Sequence, residues 1–115
     1  MKKVLIIGSS GYVGTVLVNH IKNKYFIFGI DTNWFKTRVI YNNNYNDFQP
    51  NKFLKTDLRN LDLNKLNFKP DAIIYLAAIS NDPMGREFRK VTHEINTRYC
   101  KKIANQAKKL GVKKF

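Results

Sequence analysis

Apolar and polar positions along the chain fall into short continuous runs separated by stretches with helical spacing. Lys3–Ile7 is a short apolar run closed by Gly8, which predicts a parallel strand buried on both faces. Tyr12–Lys24 changes period. Val13, Leu17 and Ile21 recur at four-residue steps, flanked by Val16 and Val18, and predict a helix with one apolar face. Tyr25–Ile30 is a second apolar run, closed by Asp31. Residues 33–51 are rich in Asn, end near Pro50 and read as a loop. Lys52–Thr56 predicts a short third strand, and Asp62–Phe68 one or two turns of helix. The turn signal Pro70-Asp71 precedes the strongest strand, Ala72–Ala78. From about Glu87 to Leu110, the apolar positions Val91, Ile95, Tyr99, Ile103, Ala107 and Leu110 predict one long helix, stopped by Gly111. Val112–Phe115 then reads as the start of a fifth strand.

This alternation of strands and helices is the grammar of an α/β fold, a doubly wound parallel sheet. It occupies residues 1–115 as one domain, with no repeat and no linker. In such a sheet the ligand crevice lies at the carboxyl ends of the strands, where the strand order reverses.

Composition narrows the reading. A hydrophobic content of 43% is enough for a core. The single Cys100 excludes an internal disulfide or a multi-cysteine zinc site within the chain, and no metal site is expected. The longest apolar run, Ala72–Ile79, has eight residues, too few to span a membrane. Met1-Lys2-Lys3 and Val4–Ile7 have the outline of a signal peptide, but Gly8-Ser9-Ser10-Gly11 breaks the apolar run after four residues. The expectation is a cytoplasmic domain. Twenty-one Lys and Arg against eight Asp and Glu give a net charge of +13. The lysines are scattered and accompany fourteen Asn, so the excess reads as compositional drift, and nucleic-acid binding is not expected.

The chemistry is concentrated in Gly8-Ser9-Ser10-Gly11-Tyr12-Val13-Gly14, which leaves a strand and opens a helix. Gly8 allows a sharp turn with positive φ. Gly11 lets a pyrophosphate approach the backbone, and Gly14 lets the helix pack closely. The free N–H groups and dipole of the helix start suit phosphate. Asp31, seventeen residues beyond Gly14, can accept hydrogen bonds from both hydroxyls of an adenosine ribose. It would repel a 2′-phosphate, so NAD is favoured over NADP, although Lys36 and Arg38 lie nearby.

With these residues the chain resembles the N-terminal part of the extended short-chain dehydrogenase/reductase superfamily, in its NAD-dependent epimerase/dehydratase family acting on sugar nucleotides. The spacing Gly-x-x-Gly-x-x-Gly is the extended type. Thr56-Asp57-Leu58-Arg59 is similar to the family's Asp-Leu-Arg stretch, whose carboxylate and next backbone group meet the adenine. Tyr75-Leu76-Ala77-Ala78 is similar to its His-Leu-Ala-Ala, with Tyr75 in place of His. Ile79–Met84 looks like the loop that follows in one epimerase-like branch, and Gly111–Phe115 resembles the family's lead into the fifth strand. Asn96 matches a helix Asn that braces the active-site strand. The resemblance implies a Rossmann-type fold that stops as the fifth strand begins. It implies NAD contacts from Gly8, Ser10, Gly11, Tyr12, Val13 and Gly14, and from Asp31, Thr32 and Asn33 after the second strand. Asp57, Leu58, Leu76, Ala77, Ala78, Ser80 and Asn96 complete the implied set.

The family's proton chemistry uses Tyr-x-x-x-Lys, in which the Lys stabilises a phenolate one helical turn away. None of the six tyrosines here has Lys four positions later. No residue of this chain is therefore assigned a catalytic role. The chain is expected to be a catalytically incomplete portion of a sugar-nucleotide epimerase or dehydratase. A nucleotide-sugar would be the substrate of the full-length family. The alternative is a non-catalytic dinucleotide-binding or sensing module that acts with a partner chain. His20 reads as a surface histidine, adjacent His93 and Glu94 as no metal pair, and Cys100 as a small buried hydrophobe. Asp82, before Pro83, reads as a turn residue that could also face substrate. Ala72–Ala78 would lie near a sheet edge, which predicts self-association or a partner chain that covers it.

Overall fold

The computed structural model describes residues 1–34, 45–80 and 82–115. Lys36, Arg38 and the triple Asn lie outside the described residues. Four strands form one parallel sheet in the order β3-β2-β1-β4: β1 Lys3–Ile7, β2 Phe26–Asp31, β3 Lys52–Lys55 and β4 Ala72–Tyr75. The predicted doubly wound sheet is therefore present. Its order reverses at β1, which pairs with β2 on one side and β4 on the other.

Alternation along β1 feeds two cores. Val4 and Ile6 face Ile27 and Val18, the latter on α1 (Tyr12–Ile21). Leu5 and Ile7 face the opposite layer with Phe28, Ile30, Ile73, Ile103 and Ala107, the last two on α4 (Tyr99–Lys109). Each such fully buried aliphatic side chain stabilises the fold by about 1.5–3 kcal/mol relative to exposure. Leu58, Leu61 and Leu63 complete the second core from the β3–β4 connection. That connection holds two single 3₁₀ turns, Leu58–Asn60 and Leu63–Lys65, where the spacing predicted helix only over Asp62–Phe68. Asp57 and Asp62 cap these turns through the N–H groups of Arg59 and Asn64. Gln106 on α4 fixes the second turn by accepting from the Leu63 N–H at 3.1 Å.

The predicted bounds of α1 and β4 are corrected. α1 stops at Ile21 rather than Lys24, because the Lys24 N–H turns back to the Ile21 carbonyl in a tighter bond. Its inner face is centred on Gly14 and Val18, while Val13 and Val16 stand exposed. A glycine at position 14 rotates the helix so that its bare face, not the Val13 stripe, meets the loop beneath. β4 ends at Tyr75, not Ala78, because β1 has already ended. The N–H groups of Leu76 and Ala77 share its last carbonyl, that of Ile7, at 2.7 and 3.0 Å.

The predicted long helix is interrupted. It runs as α2 (Asp82–Glu87), α3 (Arg89–His93), a π turn at Glu94–Arg98, and α4. Asp82 thus opens a helix, with Pro83 in the first turn where a missing N–H is harmless. The π turn follows from the four-residue apolar repeat. In an α-helix each such step overshoots a full turn by about 40°, so Val91 and Ala107 would drift to opposite faces. One wider turn, in which the Tyr99 N–H reaches the Glu94 carbonyl, absorbs part of that drift. The predicted fifth strand is a single bridge beside β4, where the Ile73 N–H donates to the Lys114 carbonyl at 2.9 Å.

Candidate functional site

The carboxyl ends of the four strands open into a cavity of about 410 Å³. Its floor is the glycine loop. Gly8 has φ +93°, and a Cβ there would lie 2.6 Å from the Ala77 nitrogen, so the turn is closed to other residues. A Cβ on Gly14 would collide with the Gly8 carbonyl and the Ser9 backbone. The third glycine therefore seats the helix on the loop itself. At Gly11 a Cβ would meet only the Gly8 oxygen, at 3.5 Å. That position is bare toward open space, as an approaching ligand requires. Gly11 is the N-cap of α1 and offers no side-chain cap, so the first N–H groups of the helix remain as donors.

Loop and second strand are tied together. The Gly8 N–H donates to the Ile30 carbonyl at 2.7 Å, and the Ser10 N–H to Asp31 Oδ2 at 3.0 Å. Asp31 Oδ1 accepts from the Asn33 N–H at 2.9 Å. Among the described residues each carboxylate oxygen accepts one hydrogen bond, and a carboxylate oxygen has lone pairs for two. Asn33 takes φ +61°, a left-handed conformation that Asn tolerates, and turns the chain back after β2.

Of the sequence-predicted residues, Gly8, Gly11, Tyr12, Asp31 and Thr32 line the cavity beside Asp57 and Leu58. Leu76, Ala77, Ala78 and Ser80 line its opposite side. Ser10, Val13, Gly14, Asn33 and Asn96 are not in its wall. Ser10 and Gly14 shape the loop. Asn96 engages both ends of its amide with Ile79: Oδ1 accepts from the Ile79 N–H and Nδ2 donates to the Ile79 carbonyl, each at 2.9 Å. It therefore ties the loop after β4 to the π turn.

Asp57 is more occupied than its sequence context suggests. It accepts from the Arg59 N–H at 2.9 Å and from Arg59 NH2 at 2.7 Å, and Arg59 NH1 donates to Glu94 at 3.2 Å. The guanidinium holds the Asp57 carboxyl below the usual carboxylate value, and the two acids hold Arg59 above its own. Leu58 beside Asp57 also contributes to the cavity wall, although most of its side chain is buried in the second core. Sequence reasoning missed this cluster, since Arg59 and Glu94 are 35 residues apart. It also missed Trp34, which lines the cavity, and Gly29, where a Cβ would lie 2.5 Å from Ser9 Oγ. A glycine inside a strand was the available signal for that close approach.

Tyr75 does not replace a catalytic tyrosine. Its hydroxyl donates to the Ile95 carbonyl in the π turn at 2.6 Å. Burial pushes the phenol above its ordinary value, opposite to what a phenolate base needs. Cys100 is half-buried rather than fully buried, and His20 is exposed. Among the described residues no three metal-ligating side chains cluster, and no helix is long and apolar enough to cross a membrane.

The model of the NAD dependent epimerase/dehydratase family matches residues 4–115. No curated protein matches the chain. Among solved structures, UDP-N-acetylglucosamine 4-epimerase from Methanobrevibacter ruminantium, in complex with UDP-N-acetylmuramic acid, superposes with a TM-score of 0.78 at 21% identity. It covers 97% of this chain and 36% of its own. UDP-glucuronic acid 4-epimerase from Bacillus cereus, in complex with NAD, gives 0.75 at 24% identity, covering 98% and 38%. UDP-glucose 4-epimerase from Thermotoga maritima, with UDP-glucose, gives 0.74 at 18%, covering 98% and 36%. The chain thus spans little more than a third of the length of each of these structures.

Proposed function

This chain belongs to the NAD dependent epimerase/dehydratase family, and from that premise we propose that it is the NAD-binding domain of a sugar-nucleotide epimerase or dehydratase. One observation carries the reading. The bare Gly11 and the uncapped start of α1 face the same cavity as Asp31, so phosphate donors and a ribose acceptor converge. The residues fit the cofactor. The α1 N–H groups would hold the pyrophosphate. Asp31 would hold the adenosine ribose with its remaining lone pairs and oppose a 2′-phosphate. Leu58 would flank the adenine, and the backbone from Leu76 to Ser80, steadied by Asn96, would wall the nicotinamide side. NAD, when bound, supplies the hydride acceptor for a sugar carbon. These residues bind and orient. With no Tyr-x-x-x-Lys among them, proton transfer falls to groups outside these 115 residues.

Calorimetry with NAD and NADP tests the reading. The chain should bind NAD and prefer it to NADP, and Asp31→Ala should erase the preference. Gly11→Val should abolish binding while the chain stays folded, since a Val side chain enters only the open space and φ −75°, ψ 176° suits it. Tighter binding of NADP, or unchanged affinity in Asp31→Ala, contradicts the assignment of Asp31. The purified chain should turn over no nucleotide-sugar.

A further inference from the structure

Two large aromatic side chains line the cavity without belonging to either hydrophobic core, Tyr12 at the start of α1 and Trp34 beyond β2, and only the second stands beside the strand end that carries Asp31. Trp34 is 65% exposed, yet it lines the cavity. It stands three residues beyond Asp31, past the reversal in which Asn33 takes φ +61° and donates to Asp31 Oδ1. The ribose-accepting carboxylate therefore fixes the backbone that presents the indole. Trp34 is the only tryptophan of the chain. An indole left in water gives up the apolar burial that favours tryptophan in cores, while its flat face suits a planar heteroaromatic ring.

Position selects which ring. The sheet order β3-β2-β1-β4 divides the cavity at β1. Trp34 follows β2, on the half that also carries Thr56, Asp57 and Leu58 after β3. Leu76, Ala77 and Ser80 follow β4 on the other half. A dinucleotide with its ribose on Asp31 places the attached base on the β2–β3 side. We propose that Trp34 is a cofactor-contacting residue on which the adenine stacks, and that it sets preference for a purine nucleotide on that half of the cavity. This rests on the NAD reading above. Base–aromatic stacking needs no hydrogen-bond code and is strong enough to matter for affinity.

The experiment uses the full chain and four probes: NAD, AMP, nicotinamide mononucleotide and UMP. Calorimetry measures affinity, and the emission of the single indole reports contact without any mutation. NAD and AMP should quench Trp34 emission; nicotinamide mononucleotide should not, and UMP should bind more weakly than AMP. Trp34→Leu, which keeps an apolar side chain without a ring, should weaken NAD and AMP by about 10-fold. Trp34→Phe, which keeps a ring, should stay within about 3-fold of the parent. Both variants should melt as the parent does, since Trp34 is outside both cores. Unchanged emission at saturating NAD, or equal affinity in Trp34→Leu, overturns the proposal while leaving the NAD reading intact. Absence of any heat with NAD in the parent chain overturns both. Equal losses in the Phe and Leu variants also overturn it, because they would show that the indole's bulk matters and not stacking.

Discussion

Arg59 joins two parts of the site that the chain separates widely, and its side chain does so with four hydrogen bonds to two carboxylates. Its guanidinium meets Asp57 beside β3 and Glu94 at the head of the π turn, with Arg59 and Asp57 only partly exposed. Asp57 titrates below its ordinary value in the fold, so the unfolded chain binds more protons as pH falls through the carboxylate range. The stabilisation is fully present above about pH 4, the usual Asp value, and is lost as pH falls through the lowered folded value. Partial exposure limits it to about 1 kcal/mol. Urea melts of the parent and Arg59→Met should therefore differ by about that much at pH 7 and converge toward pH 2. A constant gap across that range would show that the loss comes from packing of the Arg59 stem instead. The glycines of the loop were legible in the sequence because each acts within seven residues of its neighbours. Arg59, Glu94 and Trp34 were not, because their roles depend on where distant strands and turns bring them.

At the scale of elements, the π turn marks where sequence pattern and helix geometry disagree. The four-residue repeat from Val91 to Ala107 predicts helix, and helix flanks the turn on both sides, but the turn follows only when the repeat is laid on the 3.6-residue period. Tyr75 supports the result, since its hydroxyl donates to the Ile95 carbonyl inside the turn. The neighbouring Asn96 grips Ile79, so the same turn also carries the loop that walls the cavity. Tyr75→Phe keeps the ring contact with Phe115 and removes only this bond. It should cost about 1–2 kcal/mol in denaturant melts, since it leaves a half-buried carbonyl without its donor. Hydrogen exchange should rise across Glu94–Arg98 and at Ile79 more than in β1. Equal stability with unchanged exchange would show that the π turn holds without Tyr75. The short strands were found within one to three residues, because continuous apolar runs next to Gly, Pro or Asp leave few alternatives. β4 was overestimated because an apolar run says nothing about where its partner strand ends.

For the molecule as a whole, the order β3-β2-β1-β4 leaves β4 paired fully on one side only. On the other side it meets the single bridge at Lys114, with Phe115 54% exposed and its ring tilted against Tyr75 at 6.3 Å. The strand grammar made this edge foreseeable, since β1 and β4 flank the switch point of any doubly wound sheet. An open parallel edge beside exposed apolar side chains is a template for another strand. Opposing it is a net charge of +13, which repels like chains over a Debye length of about 30 Å at 0.01 M salt but only about 3 Å at 1 M. Edge pairing and repulsion therefore respond oppositely to salt, since backbone hydrogen bonding is short-ranged and the charge is not. The 115-residue chain should sediment as a monomer at low salt and associate as salt rises. Phe115→Lys places a charge on that edge without touching either core and should move the onset of association to higher salt. If the parent melts cooperatively as a monomer at both extremes, the bridge at Lys114 suffices to close β4. If Phe115→Lys associates as readily as the parent, the contact lies elsewhere. The exposed Val13 and Val16 face of α1 would then be the surface on which to repeat the substitution.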